Sequence, residues 1–347
     1  MSFPRRTALT LATCLACMPV FAQSVAEIVQ RGEQNQSNVS QDGTGHFVRN
    51  EQSGNQISAQ VEQTGTGQSA RIYQSRMQES AVSVYQSGAN NAFTAYQDRG
   101  TEHAISLRQD GRGQVATVAQ RGDGTGLSMD LQQQGAGNVF LLSQDGFGHV
   151  LNVDTNGQYN RVEVEQYGGS TVSADINQTG NSNQIKVVQD IVGTVTIDQA
   201  GFANRASLNT TGRDYANVDL KQDGNRNVAD IDVNVRMAQT TVTQIGNDNN
   251  TRVDQGMLGG EVRVTVEGNG NDATLDINGT SQTAHLDQFG NDNVADMNID
   301  GFGATGIIDQ TGSANVAGIV QSPTSDFSFN SASIVQNGNG NVANITQ

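Results

Sequence analysis

Cysteine is nearly missing from this chain. The two it has, Cys14 and Cys17, both lie in an apolar N-terminal run. Beyond that run no thiol remains, so neither a disulfide framework nor a cysteine-based metal site can organise the fold. Proline is as scarce: Pro4 and Pro19 share the N-terminal run, and Pro323 alone lies past it. Long stretches can therefore join a hydrogen-bonded ladder without losing a donor. Tryptophan is absent and hydrophobic residues are 35% of the 347, too little apolar material for one large globular core. Positive charge is short as well. Nineteen Lys and Arg face 35 Asp and Glu, for a net −16, which argues against nucleic acid or an anionic membrane as a partner. After the N-terminal run no stretch is apolar enough for a membrane span.

The N-terminal run itself has a distinct composition. Arg5 and Arg6 precede "TALTLATCLACMPVFA", and "VFA" sets small or apolar residues just before Gln23. This predicts a secretory signal over residues 1–22, cut after Ala22. The mature chain, 23–347, is expected outside the cell, reached through the periplasm. A buried N-terminal helix and a lipid anchor on Cys14 or Cys17 are the alternatives.

What the sequence has in abundance is glycine, forty residues of it, together with amides at a fixed spacing. "QTGSANVAGIVQ" at 310–321 and "QNGNGNVANITQ" at 336–347 share Gln, Gly, Asn, Ala and Gln at the same offsets. Stepping back from the terminal Gln mostly by 11 or 12 residues finds an anchor each time, including Gln30, Gln41, Gln63, Gln109, Gln178, Gln222, Gln288, Gln310, Gln336 and Gln347. Two residues before an anchor the chain is almost always aliphatic, with Asn50 and Ala95 as exceptions. Four before, it is mostly small or apolar. An apolar period of two, with polar residues between, is the signature of a strand with one buried face. Each unit is therefore a short strand plus a turn.

Alternate turns form two classes. In one, Gly follows the anchor by two residues every time: Gly43, Gly65, Gly88, Gly111, Gly135, Gly157, Gly180, Gly201, Gly224, Gly246, Gly268, Gly290, Gly312 and Gly338. Five residues after the anchor the same class has Asn91, Asn138, Asn160, Asn183, Asn204, Asn227, Asn249, Asn271, Asn293, Asn315 and Asn341, with His46, Gln68 and Gln114 as the departures. The other class varies freely, as in "QSRMQES" and "QDIVGTV". Two strands per rung predict two such classes. The expected fold is all-β: a two-sheet parallel β-solenoid of about 14 strand-turn-strand rungs, amyloid-like, about 70 Å long at strand spacing.

Stacking explains the residue types. Equivalent aliphatics form apolar columns. A buried Gln or Asn is costly alone, but on a like residue its amide donates to the neighbouring carbonyl and the column satisfies itself. Carboxylates in that place would repel. Acids such as Asp219, Asp254, Asp276 and Asp309 alternate with the aliphatics and are expected to face solvent.

Gln-x-Gly-x-x-Asn-x-Ala-x-x-x-Gln, in full or near-full copies from Gln30, Gln222, Gln310 and Gln336, resembles the curlin repeat of bacterial curli fibre subunits, and the likeness covers essentially all of the mature chain. The resemblance implies a secreted amyloid subunit that polymerises into adhesive, biofilm-forming surface fibres. Its partners would be further copies of itself or other curlin subunits, with outer-membrane secretion machinery for export. The array is far longer than is usual in that family. It also lacks the Gly-rich segment that the major subunit carries ahead of its repeats.

No chemistry of another kind stands out. His46, His103, His149 and His285 have no ligand spacing, no nucleophile elbow occurs, and no cofactor is expected. Weak Ca²⁺ binding by Asp-Asn turns is the residual metal option. The competing reading is a β-solenoid adhesin or binding module that does not polymerise. Such solenoids cap their terminal rungs, whereas "SVAEIVQRG" and "NVANITQ" read as ordinary repeat strands. The longest step, 321 to 336, predicts a protruding loop exposing Phe327 or Phe329.

Overall fold

The structure is a computed structural model that describes residues 23–168, 172–189, 193–212, 215–256, 259–280, 283–301, 303–322 and 330–347. The expected signal at 1–22 and the expected protruding loop with Phe327 and Phe329 lie outside the described residues. Among the described residues there are 29 strands and no helix.

Odd-numbered strands form one sheet: β1 (Val25–Arg31), β3 (Phe47–Asn55), β5 (Ser69–Gln78), β7 (Ala92–Thr101), β9 (Val115–Arg121), β11 (Val139–Gly146), β13 (Arg161–Gly168), β15 (Gln184–Gln189), β17 (Arg205–Thr210), β19 (Val228–Asp232), β21 (Asn250–Asp254), β23 (Asp272–Asp276), β25 (Val294–Ile299), β27 (Val316–Gln321) and β29 (Val342–Thr346). Even-numbered strands form the other: β2 (Gln36–Thr44), β4 (Ser58–Thr66), β6 (Ala81–Ala89), β8 (Ala104–Arg112), β10 (Ser128–Ala136), β12 (Val150–Gln158), β14 (Ser173–Asn181), β16 (Val195–Phe202), β18 (Ala216–Asn225), β20 (Ala238–Asn247), β22 (Val262–Asn269), β24 (Thr283–Asn291), β26 (Thr305–Ser313) and β28 (Ser331–Asn337). Each strand pairs in parallel with the strand two before and two after it, with equivalent residues opposite, as in Gln30↔Gln52, Gly43↔Gly65 and Ile319↔Ile345. The chain is a two-sheet parallel β-solenoid of about 14 turns, as the two turn classes predict.

Alternation decides which side chains enter. In β13, Val162, Val164 and Gln166 are buried, while Arg161, Glu163 and Glu165 point outward. The inner columns of Ala, Val, Leu and Ile run from Val48 to Ile334 as one apolar cluster between the sheets. Each fully buried aliphatic contributes roughly 1.5–3 kcal/mol. Asn50, an exception to the aliphatic pattern, is buried and donates to the Ser37 hydroxyl at 2.7 Å. Outward residues also meet their equivalents: the Tyr73 and Tyr96 rings stack with centroids 5.2 Å apart, and Asp219, Asp254, Asp276 and Asp309 all lie on the outer faces.

Candidate functional site

The chemistry of this molecule is concentrated in three stacked columns. The first two are glutamine ladders, one in each sheet. In the odd sheet Gln30 donates from Nε2 to the Gln52 Oε1 at 2.7 Å, and the chain of bonds continues through Gln74, Gln97, Gln120, Gln144 and Gln166 to Gln189. In the even sheet Gln41 donates to Gln63 at 3.0 Å, then the bonds run through Gln86 and Gln109 to Gln133. They resume at Gln178, Gln199, Gln222 and Gln244, and again at Gln288, Gln310 and Gln336. Gln321 donates to Gln347 at 3.2 Å. The second Nε2 hydrogen crosses to the other sheet: Gln310 donates to the Val294 carbonyl at 3.1 Å as well as to Gln336 at 2.8 Å.

All these amide-to-amide bonds run the same way, from the earlier rung to the later. The ladder is therefore polar. At the β1–β2 end no donor among the described residues reaches the Gln30 or Gln41 Oε1. At the β28–β29 end Gln336 and Gln347 use one Nε2 hydrogen on the Val316 and Ser331 carbonyls, at 2.9 and 3.3 Å, and keep the other.

The third column lies along the uniform edge and works differently from the expected amide-to-amide stack. The Asn138 Oδ1 accepts the Asn160 backbone N–H at 3.0 Å, while its Nδ2 donates to the Gln134 carbonyl four residues back and to the Gly157 carbonyl one rung on. Asn91, Asn160, Asn183, Asn204 and Asn227 also bond side chain to backbone. From Asn249 through Asn271, Asn293 and Asn315 to Asn341, the Nδ2 also donates to the previous Asn Oδ1, at 3.0–3.1 Å. Gln68 and Gln114 occupy the same column, and Gln68 accepts from the Asn91 N–H at 3.0 Å.

Beside them run the turn glycines, all with positive φ, from Gly43 at 121° to Gly338 at 114°. Their spacing also demands glycine. A Cβ on Gly268 would stand 1.7 Å from the Gly290 carbonyl oxygen, and one on Gly312 would stand 2.0 Å from that of Gly338.

Three histidines take over the role of the turn amides. His46 sits in the asparagine column with Nδ1 accepting the Gln68 N–H at 3.3 Å and Nε2 facing the Asp42 carbonyl at 3.0 Å. On the variable edge His149 does the same with the Val172 N–H and the Asp145 carbonyl, both at 3.2 Å. His103 accepts from the Leu127 N–H at 3.3 Å. An Nδ1 that accepts is unprotonated, so each ring stands in for Asn or Gln only while neutral. Burial pulls His103 and His149 below the ordinary value of 6.5. Position was the available signal, since His46 and His149 follow their anchors by five residues. His285 is on the outer face, 3.4 Å from Glu261. Among the described residues no group of three or more His, Cys, Asp or Glu could hold a metal ion, and no helix is long and apolar enough to cross a membrane.

The chain matches no protein-family model and no curated protein.

Proposed function

We propose that the protein is a secreted structural subunit that assembles head to tail into extracellular, curli-like amyloid fibres serving adhesion and the biofilm matrix. One observation carries this reading: the glutamine ladders are polar, and every amide-to-amide bond in them runs from the earlier rung to the later. The face of β28 and β29 presents amide donors, and that of β1 and β2 presents amide acceptors. The same faces hold half-covered apolar columns, Ala343 and Ile345 at one and Ala26 and Val39 at the other. Adding a second copy joins donors to acceptors, covers the apolar residues and extends both sheets in one step. Open parallel strands at each face add backbone N–H and C=O groups to the same contact. The curlin-like repeat, the secretory signal at 1–22 and the absence of cysteine from 23–347 fit a polymer built by stacking outside the cell.

The test is electron microscopy of purified 23–347 sampled over time, with and without sonicated fibre seeds. Fibres that appear after a lag, with the lag abolished by seeds, are expected. A monodisperse particle that ignores seeds would overturn the proposal and favour the non-polymerising adhesin.

A further inference from the structure

Resting on that reading, the geometry points to how one copy docks on the next: we propose that successive subunits are related by a half-turn about the long axis. In that arrangement β1 of the incoming copy stacks on β28, and its β2 stacks on β29.

Strand parity carries the first part of the argument. Among the described residues the odd sheet has 15 strands and the even sheet 14, so β28 and β29 are the last strands of their sheets. The next vacant position along the solenoid path lies over β28, in the even sheet. An incoming copy placed without rotation would set β1 over β29 and β2 one level further on, leaving a strand-wide gap above β28. A half-turn sets β1 into that position and β2 over β29, and both sheets continue unbroken.

The turns carry the second part independently. After a half-turn the incoming β1–β2 turn, which belongs to the variable class, must lie on the uniform edge over the β28–β29 turn. Of all the variable-class turns, the one after Gln30 alone has Gly two residues on and Asn five on, Gly32 and Asn35. It also has the uniform-edge geometry. Gly32 has φ 109°, Asn35 donates to the Arg31 carbonyl four residues back at 2.9 Å and to the Gly54 carbonyl at 3.0 Å, and its Oδ1 accepts the Ile57 N–H at 3.1 Å. The dodecamers 30–41, "QRGEQNQSNVSQ", and 336–347, "QNGNGNVANITQ", then lie in register. Gln30 meets Gln336, Gly32 meets Gly338, Asn35 meets Asn341, Asn38 meets Asn344 and Gln41 meets Gln347. Within the chain the Asn341 Nδ2 reaches no glycine carbonyl of a further rung, the bond that Asn315 makes to Gly338 at 2.8 Å. The incoming Gly32 carbonyl supplies that acceptor, and the incoming Asn35 N–H supplies the donor for the Asn341 Oδ1.

Residues 23–347 contain no cysteine, so introduced pairs report the contact cleanly. Stacked Cα atoms about 4.8 Å apart are within disulfide range. Asn38 and Asn344 stand at opposite ends of one molecule, and any bond between them joins two copies. Fibres of N38C/N344C, oxidised and run without reductant, should form covalent multimers, while E27C/N344C fibres should stay monomeric. Multimers from E27C/N344C alone, or from neither pair in well-formed fibres, would overturn the half-turn while leaving fibre assembly standing. Failure of both variants and the parent to form any fibre would instead overturn the assembly reading and the half-turn with it.

Discussion

Val266 lies directly beneath Gln288 in the inner column of the even sheet, and the Gln288 Oε1 above it is buried without a donor. The polarity of the ladder explains which atom is stranded. An apolar residue in the column supplies no Nε2–H to the rung after it. Gln178, one rung after Thr155, has the same orphaned Oε1, and so does Gln321 after Ile299. On the other side of a break the donor is stranded, as at the Gln189 Nε2 before Thr210.

Val266→Gln should therefore stabilise the protein, although it places an amide in a core. The new side chain would accept from Gln244, which now turns its Nε2 to the Thr251 hydroxyl at 2.8 Å, and would donate to Gln288. A gain of about 1 kcal/mol is expected, read as slower hydrogen exchange in β20–β24 because a long array need not unfold in one step. Leu275→Gln, with no amide above or below, should lose about 2–4 kcal/mol in the same assay.

The glycine column separates folding from stacking. Gly268→Ala should be severely destabilising, by about 3 kcal/mol or more, since its Cβ meets a backbone carbonyl at 1.7 Å. At Gly338 the nearest group is the Asn341 Nδ2 at 3.5 Å, so Gly338→Ala should incur only the strain of φ 114°, about 1–2 kcal/mol. That variant should remain folded by circular dichroism and still elongate slowly, because an incoming glycine carbonyl must approach the same place.

Much of this was legible in the sequence. The period of two, the half-rung step and the two turn classes predict sheets, register and the Gln, Asn and Gly columns, because stacking puts equal residues on equal residues. Direction was not legible: "Q" at equal spacing does not say which amide donates, and hence which atom a break strands. Nor was the dependence of the asparagine column on backbone N–H and glycine carbonyls. The histidine contacts were not legible either, because the ring atoms, not the residue class, match the donor and acceptor positions of Asn.

Stability should fall as the medium is acidified from about pH 6.5. His103 and His149 have folded pKa values held below 6.5 by burial, with the Asp145 carbonyl and then its carboxylate opposing this at His149 and the Gly122 and Arg99 carbonyls opposing it at His103. The unfolded chain therefore binds protons first, and the stability present above 6.5 is lost as pH drops through the folded values. Thermal midpoints of the parent should decrease between pH 7.5 and 5, and those of H103N/H149N should decrease much less. Equal losses in the two proteins would show that the ring contacts do not matter.

The outer face of the odd sheet has the opposite sensitivity. Asp232, Asp254 and Asp276 are successive partners in one column. Burial first, and the Asp254 charge second, raise the Asp232 and Asp276 carboxyls above 3.8. Such groups add stability below their unfolded pKa and lose it as pH rises through the folded one. Asp254→Asn should thus stabilise by about 0.2–1 kcal/mol at pH 7, with the gain shrinking below about pH 4.

The central claim is that growth occurs by stacking on the open face of β28 and β29. Seeded elongation, followed by an amyloid dye, tests it with parent seeds and either parent or A343D/I345K monomer. Ala343 and Ile345 pack on the last inner columns, and two opposite charges there leave the net charge unchanged while placing unpaired groups in the joint. The account predicts that the variant monomer stays folded, adds at most once to a seed and stops growth at that end. Elongation of the variant at the parental rate and to the parental length would contradict it.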